Sequence, residues 1–202
     1  IMNTIFKSGL FFDTNILNMN VLAQNDKQIM IEGGDVLVVN EDILLIGNGT
    51  RTSSQAIDLL IKNLCTLKTG KKHVIVQQLP DTPESFIHLD MIFTLLDTNS
   101  AMVYRPMILN SNTYKTVHIQ IDNGKATKIS TVANIPSVLR RLGMDIEPII
   151  CGGTADDWDQ EREQWHSGAN FLAIAPGKEL SYERNIHTLE ELDKYGFNIV
   201  SA

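Results

Sequence analysis

Two short segments carry side chains that could move protons or hold a cation. In Ile87-His88-Leu89-Asp90-Met91, an extended backbone would put His88 and Asp90 on one face and Leu89 and Met91 on the other. An imidazole beside a carboxylate is suited to trading protons near neutrality, and the carboxylate could also bind a cation; the same pair fits a solvated sheet surface. In Ile31-Glu32-Gly33-Gly34-Asp35, two glycines allow a close backbone approach or a left-handed turn, with carboxylates on either side. That segment also reads as a capped turn before a strand. It is not a phosphate loop, because neither the Walker nor the dinucleotide glycine spacing occurs.

A third polar stretch, Glu161 to Asn170, holds Trp165 and His166 and reads as a loop tied by salt bridges. Cys65 falls beside the apolar stripe of a helix, and Cys151 stands at a strand end before Gly152-Gly153, where packing is the stronger reading. His73, His118, His166 and His187 are scattered with no metal-ligand spacing, so no metal is expected. No G-x-S-x-G elbow supports a serine hydrolase.

The surrounding pattern supplies elements to position these groups. Val36–Val39 and Ile43–Ile46 flank Asn40-Glu41-Asp42 and predict a hairpin buried on both faces. Ile57, Leu60, Leu64 and Leu67 recur at helical spacing within Gln55–Leu67, and a strand follows over His73–Leu79. The same strand-strand-helix-strand order repeats. Its second copy has strands over Ile92–Leu96 and Ala101–Tyr104, an inserted hairpin turning at Asn123-Gly124, a helix capped by Asn134 and stopped at Gly143, and a strand over Ile146–Ile150. Its third has strands over Asn170–Ala175 and Glu179–Tyr182, a helix opened by a Thr188/Glu191 capping box, and a strand over Phe197–Val200. The units are 35–80, 90–151 and 168–202. Such repeats suggest a radial or stacked α/β architecture, with a single mixed sheet as the alternative.

With 202 residues and 43% hydrophobic content the chain can bury a core. A net charge of −7 argues against a nucleic-acid partner and is compatible with a cationic small substrate. Two cysteines exclude a disulfide framework and fit a reducing, cytoplasmic setting, and no apolar run reaches membrane length. The chain opens Ile1-Met2 and stops after a strand-like run; neither end is expected to be a natural terminus.

Taken in order, Glu32-Gly33-Gly34-Asp35-Val36-Leu37, Arg51-Thr52, His88-Leu89-Asp90-Met91-Ile92-Phe93-Thr94 and Arg162-Glu163-Gln164-Trp165 resemble the arginine deiminases. The likeness continues through Gly168-Ala169-Asn170, Ala175-Pro176-Gly177 and Tyr182-Glu183-Arg184-Asn185. It implies part of a five-bladed α/β propeller, the pentein fold, with all of residues 1–202 inside a single catalytic domain. It also implies hydrolysis of L-arginine to L-citrulline and ammonia in arginine catabolism, through an amidino-cysteine and without a cofactor. By the same resemblance His88 is the general acid/base, Asp90 clamps the guanidinium, Glu32 holds His88, Arg51 contacts the substrate carboxylate and Asn170 holds its amino-acid end.

The family's nucleophilic cysteine lies in a Gly- and His-containing segment that this chain does not include, so the 202 residues alone are expected to be inactive. Phe11-Phe12-Asp13-Thr14 matches the family's F-T-R-D segment poorly, and Asp13 receives no role. Residues 1–30 read as compressed and discontinuous. Open blade edges would pair with other chains, so association into a homo-oligomer is expected. The alternatives are an amidinotransferase of the same superfamily and a non-catalytic arginine-binding protein.

Overall fold

The computed structural model describes residues 28–67 and 70–201. The expectations for Asp13 and for most of residues 1–30 fall outside them. The first hairpin is β1 (Val36–Asn40) and β2 (Ile43–Asn48). Only β2 is covered on both faces. β1 is the sheet edge, with Val38 71% exposed, so the expectation of a hairpin buried on both faces fails for that strand. Helix α1 (Ser54–Thr66) starts where the Ser53 side chain accepts the Ala56 N–H, and it returns the chain to β3 (Lys72–Gln78), parallel to β2.

The second unit opens with β4 (Phe93–Asp97) and β5 (Ser100–Val103), followed by the short α2 (Arg105–Ile108). The inserted hairpin is β6 (Thr116–Asp122) and β7 (Lys125–Val132), and its turn puts Asn123 and Gly124 at φ 50° and 74°. This hairpin does not join the second unit. β6 pairs antiparallel with β3, extending the first sheet to the order β1-β2-β3-β6-β7. Helix α3 (Ile135–Arg141) has the Asn134 cap with Ser137 answering it, and β8 (Glu147–Ile150) lies parallel to β5 in a sheet ordered β4-β5-β8.

Of the polar stretch expected to be a loop, residues 161–165 belong to helix α4 (Asp157–Trp165), opened by Asp156 accepting the Trp158 N–H, and residues 166–170 form a turn and loop. The third unit holds β9 (Leu172–Ala175), β10 (Lys178–Leu180) and α5 (Ile186–Lys194). Helix α5 begins two residues before Thr188, so the expected capping box does not form. The Glu163 carboxylate of α4 accepts the N–H groups of His187 (2.9 Å) and Thr188 (2.7 Å) instead. Phe197–Val200 forms no strand among the described residues. The described residues are thus mixed α/β with three sheets of five, three and two strands, none closed.

The alternation of strand side chains divides the core. Leu45 and Ile75 join Leu89, Ile92, Phe93, Val103, Ile135 and Leu139 between the first sheet and the second unit. Ile46 and Val74 face the other way, against Ile57 and Ile61 of α1. A further cluster of Leu96, Met102, Ile149, Cys151, Phe171 and Leu192 lies under α5. No helix among the described residues is long and apolar enough to cross a membrane.

Candidate active site

His88 and Asp90 do not stand on a strand. Leu89–Met91 is a 3-10 turn with His88 at its entrance, closed by Met91 N–H to His88 O (3.2 Å) and Ile92 N–H to Leu89 O (3.0 Å). The apolar pattern explains the difference. Leu89 and Ile92 are both fully buried, and an i, i+3 pair falls on one side of a 3-10 turn, whereas a strand would send them to opposite faces. The turn still brings His88 and Asp90 to one place. A Cβ at Gly34 would lie 2.8 Å from Cγ and Nδ1 of the His88 ring and 3.0 Å from Asp90 Oδ2. Gly34 therefore provides a close approach of backbone to these two side chains.

The Glu32 segment is tied to the loop after β2. Glu32 N–H donates to Thr52 Oγ1 (3.1 Å), and Ser53 N–H donates to Met30 O (2.9 Å). This pairing sets Arg51 beside Glu32, with Nη1 and Oε1 3.6 Å apart. The other Glu32 oxygen, Oε2, lies 2.8 Å from His88 Nε2, a hydrogen bond that fixes the ring. Glu32 and Arg51 remain partly open to solvent, with side-chain exposures of 42% and 52%.

Asp90 is the more enclosed carboxylate. Burial pushes its carboxyl above the ordinary carboxylate range, His88 and the Asn170 amide pull it back, and Asp35 adds a smaller upward push. Its Oδ1 is buried with no hydrogen-bond partner. Asn170 reaches the same place from the loop before β9, its Nδ2 3.8 Å from Met91 Sδ. Glu32, Arg51, His88, Asp90 and Asn170 thus converge from four separate stretches of chain.

Two supporting residues carry no role in the sequence reading. Gln164, 1% exposed, donates Nε2 to the carbonyls of Ser85 (2.6 Å) and Met91 (3.3 Å), fastening the His88–Asp90 turn to α4. Asp35 is fully buried and accepts the Leu89 N–H at 2.9 Å. Its carboxylate next to two glycines was visible in the sequence; its partner, 54 residues away, was not.

Neither cysteine belongs to this cluster. Cys151 is completely buried beneath α5, and burial pushes its thiol up to about 12, so it is packing rather than a nucleophile. Cys65 packs against the core under α1. No group of three or more metal-ligating side chains occurs among the described residues.

The family model for arginine deiminase matches residues 1–202. The arginine deiminase of Oenococcus oeni is 36% identical over 184 residues, covering 90% of this chain and 44% of that protein. Those of Bacillus cytotoxicus and Listeria innocua are each 34% identical, over 92% and 89% of this chain and 45% and 44% of their own length. The chain spans a little under half the length of these curated relatives. With the family model matched from end to end, the chain belongs to the arginine deiminase family.

Proposed function

We propose that the protein containing this chain hydrolyses L-arginine to L-citrulline and ammonia, and that these residues supply the acid/base and substrate-clamping part of its site. The observation that carries this reading is the convergence of Glu32, His88 and Asp90, with an unpartnered buried oxygen on Asp90 and a guanidinium on the rim. A substrate guanidinium is a planar, permanently charged donor array, and a carboxylate with a free acceptor oxygen is the group that binds it. Asp90 would take the guanidinium nitrogens while Glu32 adds negative charge and holds the His88 ring. Arg51 suits the substrate carboxylate at the far end, and Asn170 its amino-acid portion.

The reaction needs a thiolate at the guanidinium carbon. Neither Cys65 nor Cys151 is placed for that, so we assign the nucleophile to a segment outside these residues. Attack forms the C–S bond, and the C–N bond breaks as His88 gives its proton to the leaving ammonia. His88 then takes a proton from water as the hydroxide attacks the amidino carbon; the C–S bond breaks, releasing citrulline and the thiolate. Neither metal nor organic cofactor enters this scheme. We further propose that the three units are blades of a five-bladed propeller forming one catalytic domain, in a cytoplasmic, homo-oligomeric enzyme of arginine catabolism.

The test is citrulline release from L-arginine by the full-length protein, with His88→Asn beside the unaltered protein. The expected result is turnover that falls about 10²–10⁴-fold in the variant, as for loss of a general acid/base. Absence of citrulline from the unaltered protein, or an unchanged kcat in His88→Asn, would overturn the reading.

A further inference from the structure

Asp35 is a carboxylate without exposure, in a site whose chemistry has been assigned entirely to its neighbours. One oxygen, Oδ1, accepts the N–H of Leu89, the residue between His88 and Asp90. The other, Oδ2, has no hydrogen-bond partner. Around the carboxylate stand Gly47 of β2, the hydroxyl of buried Thr52 and the His88 ring. The Asp35 N–H closes back on Glu32 O at 3.1 Å. Thr52 in turn holds the Glu32 N–H and adjoins Arg51. The residue therefore touches or adjoins every segment that delivers a side chain to the site, except the loop of Asn170.

We propose that Asp35 is a positioning residue, fixing the peptide that presents His88 on one side and Asp90 on the other. The hydrogen bond acts on the backbone between the two groups. Losing it frees both to shift together, and a displacement of about 1 Å at a reacting group can cost about 10²-fold in rate. Desolvation makes a buried carboxylate with one oxygen unpartnered unfavourable, and the bond to the Leu89 N–H is what its burial sustains. Burial pushes the Asp35 carboxyl above its usual range, while the Thr52 hydroxyl, the Leu89 amide and His88 pull it down. Gly47 fits the same role. A Cβ there would collide with Asp35 Oδ1, so the glycine keeps the carboxylate seated.

The proposal rests on the deiminase reading, and its test separates the two. In full-length protein, Asp35→Ala removes the acceptor, Asp35→Asn keeps an oxygen for the Leu89 N–H, and Gly47→Ala displaces the carboxylate without removing it. Expected are kcat losses of about 10²-fold per folded molecule for Asp35→Ala and Gly47→Ala, with Asp35→Asn within about ten-fold of the unaltered enzyme. The His88 imidazole NMR signals should move in the first two variants and hold in the third. If Asp35→Ala does not fold, Gly47→Ala against Asp35→Asn carries the comparison. Unchanged kcat and His88 signals in Gly47→Ala, or Asp35→Asn as impaired as the other two, would overturn the proposal. If the unaltered protein makes no citrulline, the deiminase reading fails, and the His88 signals alone decide the positioning role.

Discussion

Three carboxylates with similar side chains do different things here because their surroundings differ. Glu32 keeps solvent on one side and an imidazole on the other, so it can respond to a ligand. Asp90 is enclosed with an acceptor oxygen to spare. Glu163 is buried with every direction filled. It accepts the His187 and Thr188 N–H groups and the Thr188 hydroxyl (2.7 Å), and Arg162 lies 3.4 Å from Oε1. Glu163→Ala would leave helix N-terminal donors unsatisfied in the interior, and we expect it to destabilise the full-length protein by about 2–4 kcal/mol, read from denaturant unfolding. Glu163→Gln, which retains one acceptor, should lose less. The residues proposed for the open part of the site were named from their types and from the family resemblance. The partners of Asp35, Gln164 and Glu163 were not, since they lie 54, 79 and 25 residues distant in sequence.

Local elements were readable where turn and cap chemistry is self-contained, as at Asn123-Gly124 and at the Asn134 cap. They were misread where a distant group decides. The Thr188/Glu191 pair looks like a capping box, yet Glu163 does the capping and Glu191 turns to Lys194 (2.8 Å). The inserted hairpin was legible as a hairpin, but its pairing with β3 is a long-range choice. That pairing creates a contact with a testable consequence: His73 Nδ1 and His118 Nε2 lie 3.0 Å apart across β3 and β6. One ring must donate and the other accept, so the contact requires at least one neutral imidazole. Burial holds both below their ordinary value of 6.5; Asp42 opposes this at His73, while Lys71 reinforces it, and His73, then Arg141 and Lys128, reinforce it at His118. A lowered folded-state value means that the unfolded chain binds more protons. Stability from this pair is therefore complete above 6.5 and is lost as pH falls through 6.5 toward the folded-state values. The loss cannot exceed about 1.4 kcal/mol per pH unit for each histidine, and solvent screening at partly exposed His73 reduces it. Unfolding midpoints between about pH 7.5 and 5.5 should show the decline, and His118→Gln should flatten it; an unchanged slope in that variant would contradict the assignment.

At the scale of the molecule, the mixed α/β class was visible in hydrophobic periodicity. The first unit keeps β1, β2, α1 and β3 in the expected order, with β1 an exposed edge and β6 added beyond β3, and the second keeps β4, β5 and β8 in one sheet. The third pairs only β9 with β10, because Phe197–Val200 finds no neighbouring strand among the described residues. Ile174, Leu180 and Val200 stand 54–76% exposed around an open groove of about 1550 Å³ on that side. The site itself sits at the other end of this logic, where the first unit's loops meet the turn that opens the second. On this account the residues present handle protons and hold the guanidinium, while the nucleophile comes from elsewhere in the protein. The most direct measurement is peptide mass mapping of full-length protein mixed with L-arginine and acid-quenched during turnover. One amidino adduct on a cysteine outside these 202 residues is the expected result. An adduct on Cys65 or Cys151, or citrulline formation with no thiol adduct at any quench time, would contradict it.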